Sequence, residues 1–212
     1  MGADMIERLP RVAELVGRIA INWSGVDLQL SLTLGSLIGV ENAAAVAVFL
    51  ALRQHRTQRE ALQAAAEKTI TGVLKDVFEA ILCIHRRLDR QRNDVVHGIW
   101  GRAEATPDGI IWSSLQDHAN MLLNDYHLER TGKLSAEERP TQITKEYFVV
   151  RYEDLEDLNQ SIIKLARLIG SFHAHLRYRG QPAGVNAYND LLNDPMLREA
   201  LPEIKLPEES VS

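Results

Sequence analysis

Between Arg90 and Gly98 the chain reads Arg-Gln-Arg-Asn-Asp-Val-Val-His-Gly. Within six residues, Arg92 to His97, it sets a guanidinium, an amide and an imidazole. An imidazole exchanges protons near neutral pH. A guanidinium pairs with phosphoryl oxygens through parallel N–H groups, and an amide beside it can orient the scissile group. Together these types can grip a phosphodiester and move a proton from a ribose 2′-hydroxyl to a leaving oxygen with no metal. Arg92, Asn93 and His97 are therefore the candidate catalytic residues.

At about 100° per residue, Asn93 and His97 stand at i and i+4 and share a helix face. Arg86 and Arg90 fall on the same stripe. Segment 86–102 holds five arginines (86, 87, 90, 92, 102) against two aspartates (89, 94), the one concentrated basic patch in the sequence. Arg86, Arg90 and Arg102 are accordingly candidate substrate-binding residues. Arg92 lies roughly 140° from His97 on an ideal helix. For the two to grip one link, the last turn must unwind before Gly98, or a second subunit must complete the site. A purely structural reading is also open, in which Arg92 pairs with Asp89, Asn93 is solvated and His97 donates to a helix C-terminal carbonyl.

The elements that position these residues are mostly helices. Apolar residues recur at helical spacing from Ile6 to Ile38, predicting a long first helix that loosens at Gly35 and Gly39. A second, Ala-rich helix is expected from 43 to about 53, and a third over Arg56 to Thr69. The fourth runs from Val73 to about His97, stopped by Gly98, with an apolar stripe wide enough for two neighbours. Beyond it, 99–104 and 110–112 flank the turn signal Thr106-Pro107-Asp108-Gly109, which predicts a β-hairpin. The polar stretch 116–143 holds one expected helix, His118 to Tyr126. Residues 146–152 form the clearest strand and pair with the hairpin. A last long helix runs from about Tyr152 to Leu176, opened by acidic residues. Residues 181–212, Pro-rich and acidic, read as a tail with a short helix near Asn186 to Asn193 and then disorder. The fold class is mainly α, one helical domain over 1–180 carrying a small antiparallel β insertion at 98–151.

Composition narrows the class. With 212 residues, 45% apolar and 25% charged, the chain can bury a sizeable core. Its net charge of −5 means that any nucleic-acid contact must come from a local patch. The basic residues are 18 Arg to 6 Lys. A single cysteine, Cys83, excludes an internal disulfide and is expected to be a half-buried thiol. The longest uncharged run, Leu28 to Val40, is too short to span a bilayer. With no signal-peptide pattern, the expectation is a cytoplasmic protein and no membrane partner.

The segment Arg92-Asn93-Asp94-Val95-Val96-His97 resembles the Arg-polar-x-x-x-His motif of the HEPN superfamily (higher eukaryotes and prokaryotes nucleotide-binding domains). An Asn follows the Arg, and the motif closes a long amphipathic helix. The first helix also carries a Trp23…Asp27 pair similar to the family's early aromatic-acidic signature. The helix order is similar too, over roughly 5–178, with 98–151 as an insertion. The resemblance implies an antiparallel helical bundle that dimerises so that two motifs face each other. It also implies metal-independent endoribonuclease activity, in toxins or antiviral effectors, with Arg92, Asn93 and His97 as the site. Other members are silent binding or scaffold modules. The expected partners are RNA, a second copy forming a composite active site, and an antitoxin or nucleotidyltransferase.

Other residues carry weaker signals. A metal set drawn from His85, Asp89, Asp94 and His97 is rejected, because no HExxH-type or Cys/His cluster exists; no cofactor and no metal are expected. His173 and His175, with Arg167 and Arg177, read as a solvated helix face rather than a second basic surface. Trp100 and Trp112 can stack on bases or simply stabilise the hairpin. Trp23 and Tyr147 read as core.

Overall fold

The computed structural model describes residues 7–40, 42–102, 110–131 and 147–201. Among them are eight helices and three strands. In chain order these are α1 (Pro10–Ile38), α2 (Asn42–Ala51), α3 (His55–Thr69), α4 (Val73–His97), β1 (Ile99–Arg102) and β2 (Ile110–Ser113). They continue with α5 (Leu115–Arg130), β3 (Phe148–Val150), α6 (Tyr152–Arg177), α7 (Pro182–Asn193) and α8 (Pro195–Ala200). The mainly helical class with a small antiparallel sheet before the last long helix is as expected. The chain divides into two compact units, Met1–Ala20 with Asp89–Gln160, and Ile21–Leu88 with Ser161–Ser212.

The first unit holds the sheet, ordered β1-β2-β3 and antiparallel throughout. Its register sets Trp100 opposite Trp112, and Trp112 opposite Phe148, so three aromatics line one row. Val12, Leu15, Ile19, Trp100, Ile110 and Leu155 are buried here. The expected strand over 146–152 pairs with the hairpin as predicted, though only 148–150 are in ladder register. The turn at 106–109 lies outside the described residues. Helix α5 starts before the expected His118 because Ser114 caps its N-terminus. Asp117 N donates to Ser114 Oγ at 3.0 Å, while the Ser114 hydroxyl donates to Asp117 Oδ2 at 2.6 Å. Arg11 on α1 donates to both Glu14 and Glu156, tying α1 to α6.

In the second unit the core is aliphatic and aromatic, with Val26, Leu30, Phe49, Leu62, Ile81 and Ile162 among its members. Phe78 of α4 stacks on Phe172 of α6 with centroids 5.0 Å apart, worth about 0.5–1.5 kcal/mol beyond the area buried. Helix α1 ends at Gly39, whose φ of 68° is the left-handed region that favours glycine. There Val40 N donates back to Gly35 O at 3.1 Å, closing a Schellman turn. After Gly180 the short helix expected near 186–193 forms as α7, starting earlier, at Pro182. Two helices form, because Pro182 and Pro195 sit at helix starts, where a missing N–H costs nothing. Asp194 caps the second by accepting from Met196 N and Leu197 N. The disorder expected after Asn193 is contradicted over 195–200, which form α8, and the rest of it, 202–212, lies outside the described residues. Cys83 is exposed, not half-buried. By helical spacing it stands on the side of α4 away from Ile81, His85 and Leu88.

Candidate active site

Helix α4 runs unbroken through its motif and ends at His97. The last turn does not unwind, so Arg92 and His97 keep their separation of roughly 140° around the axis. Arg92 Nη1 donates to Asn93 Oδ1, which turns the guanidinium toward the amide that precedes His97 by one turn. Arg92 and Asn93 are half-buried, and His97 is exposed. Two of the three residues are thus joined directly. The third stands at the helix end on Asn93's face.

What holds that end in place is the hairpin. A helix leaves its last four carbonyls without intrahelical partners. Trp100 Nε1 donates to Val95 O at 3.1 Å, and Trp112 Nε1 donates to Asp94 O at 3.0 Å. The indoles, rather than the His97 imidazole, therefore serve the C-terminal carbonyls. Gly98 is needed for room: a Cβ there would lie 1.7 Å from Trp112 Nε1. Its φ is not positive, so it ends the helix by admitting the indole and not by a left-handed turn. The tryptophans expected either to stack on bases or to brace the hairpin are here braces, and Trp100 is buried.

The basic residues lie on the surface. Arg86 and Arg90 are exposed on α4, one turn apart. Arg102 is exposed at the end of β1 and, two residues from Trp100, lies on the sheet face that carries both indoles. Of the two aspartates in 86–102, Asp89 is buried, so less negative charge reaches the surface than the sequence count implies.

A second constellation joins residues far apart in sequence. Asp27 of α1, His55 at the start of α3 and His85 of α4 each offer one ligand atom, all within 4.8 Å of one another. Trp23 packs against both imidazoles, with ring centroids 5.1 Å from His85 and 6.1 Å from His55. In the sequence, His85 has metal-ligand chemistry near it only on its own helix, and Asp27 and His55 are distant. The available signal was its place in the middle of the apolar stripe of α4, between Ile81 and Leu88, where a histidine must meet polar company.

His173 and His175 do not form the solvated face expected of them. His175 Nδ1 lies 3.0 Å from Gly184 O and its ring 4.6 Å from that of Tyr188, tying α6 to α7. His173 is half-buried, and burial first, then the Arg177 charge, holds its pKa below the ordinary value of 6.5. Tyr147 is only partly buried, and its hydroxyl lies 3.1 Å from His118 Nδ1 and donates to Met121 Sδ at 3.3 Å.

No family model, no curated protein and no solved structure matches this chain.

Proposed function

We propose that this chain is a metal-independent endoribonuclease of the HEPN type, with Arg92, Asn93 and His97 as its catalytic residues. The observation that carries the reading is the Arg92–Asn93 hydrogen bond at a helix end braced by two indoles, with His97 exposed one turn beyond the amide. Catalytic groups are effective when held in fixed positions before substrate arrives. His97 takes the proton of the ribose 2′-hydroxyl, and the freed oxygen attacks phosphorus as the bond to the 5′-oxygen breaks. Arg92 pairs with the non-bridging oxygens while charge builds on them, and Asn93 fixes the guanidinium. The proton passes to the departing 5′-oxygen, leaving a 2′,3′-cyclic phosphate and a 5′-hydroxyl end. Arg86, Arg90 and Arg102 bind the flanking phosphates as cations. A toxin or antiviral role, with an antitoxin or nucleotidyltransferase partner, would suit such an activity.

The unbroken helix favours one competing reading. If no second chain brings another motif opposite, Arg92 and His97 stay on different sides of α4, and the chain is a non-catalytic binding module. Substituting His97 by Ala separates the two. His97 is exposed, so H97A should keep the helical circular-dichroism spectrum while RNA cleavage falls about 10²–10⁴-fold. Equal cleavage by H97A and the unaltered protein, or none by either, removes the ribonuclease reading.

A further inference from the structure

Asp27, His55 and His85 lie on three helices of one compact unit, α1, α3 and α4. We propose that they form a binding site for one divalent transition-metal ion of the zinc class. The donor set argues for that class. Two imidazole nitrogens and one carboxylate oxygen are the borderline ligands that zinc, cobalt(II) and iron(II) prefer, whereas calcium and magnesium take oxygen sets. The spacing also fits. Donors about 2.0–2.2 Å from a tetrahedral ion stand about 3.4 Å apart. Ligand atoms already within 4.8 Å of one another reach that spacing by side-chain adjustment of about an ångström, without moving the helices.

The surroundings are those of a built site. His85 is 1% exposed and Asp27 and His55 are half-buried, with Asp27 Oδ1, His55 Nδ1 and both ring nitrogens of His85 buried. The imidazole planes lie 24° from parallel, with centroids 6.5 Å apart, and the Trp23 indole packs against both. An aromatic wall fixes ring orientation and keeps water from one side of the cluster. Three protein ligands leave a fourth position for water or another small donor. The bound ion carries two charges against one carboxylate and links three helices. The site does not depend on the ribonuclease reading, because it uses none of Arg92, Asn93 or His97.

The test uses the full chain, stripped with a chelator, desalted and titrated with zinc and then with cobalt(II). The expected result is one ion per chain and a visible cobalt absorption typical of low coordination number. Zinc should also raise the Tm of the stripped protein, since it binds the folded state. Even the hydrogen-bond partner of a metal-bound imidazole is worth about 10–100-fold in affinity, so losing a ligand should cost at least about 100-fold. D27N and H55Q, at half-buried positions, should therefore lose the ion and the zinc-dependent rise in Tm while remaining helical. H127Q, at an exposed histidine on α5, should bind like the unaltered protein. Failure of the stripped protein to take up zinc or cobalt would overturn the proposal. So would D27N and H55Q that bind cobalt with unchanged stoichiometry and spectrum, since the cluster would then be a polar core contact only.

Discussion

At the scale of single residues, two kinds of histidine stand out. His97 is exposed and free to meet a substrate, whereas His173 is held half-buried beside Arg177. For His173 the folded pKa lies below the ordinary 6.5, for burial first and then for charge. Between that depressed value and 6.5 the unfolded chain binds more protons than the folded one, so stability falls as pH drops through the window. It levels off once both states are protonated. The unaltered protein should lose Tm as pH falls below about 6.5, and H173Q should show a flatter profile there. Thermal melts across pH check this, and parallel profiles would contradict it. The Arg92–Asn93–His97 set was legible in the sequence because its members are local, five residues apart at most. Asp27, His55 and His85 were not, because 58 residues separate the first from the last and only the packing of three helices brings them together.

At the scale of elements, the helices followed from apolar periodicity. That signal is strong in α1, α4 and α6, where one face is buried over several turns. Boundaries depended on local chemistry that periodicity does not carry. Helix α5 starts three residues before its expected first residue because Ser114 caps it, and α7 and α8 start at prolines, which are tolerated at a helix's first turn. Gly98 was read rightly as a stop and for an incomplete reason. Its role is to admit Trp112, whose indole takes the Asp94 carbonyl. Two substitutions test this coupling of hairpin to helix. G98A places a methyl group into the indole and should destabilise by about 1–3 kcal/mol. W112F removes the donor together with the five-membered ring and should cost about 1 kcal/mol or more. Denaturant melts measure both, and a G98A protein as stable as the parent would show that the indole is not held there. Because the same brace fixes the end of α4, G98A should also slow RNA cleavage more than its loss of stability explains.

At the scale of the whole molecule, among the described residues no single helix is long and apolar enough to cross a membrane. The central claim concerns two chains. An unbroken α4 leaves Arg92 and His97 of one chain on different sides of the helix, so the proposed nuclease requires a two-fold homodimer in which each site takes Arg92 from one chain and His97 from the other. The most direct measurement mixes R92A with H97A after each has been shown to be folded, inactive and able to dimerise. Random exchange makes about half of the dimers mixed, and each mixed dimer rebuilds one of its two sites. Cleavage should return to about a quarter of the rate of the unaltered protein. A mixture that forms mixed dimers and still leaves RNA intact would contradict the account.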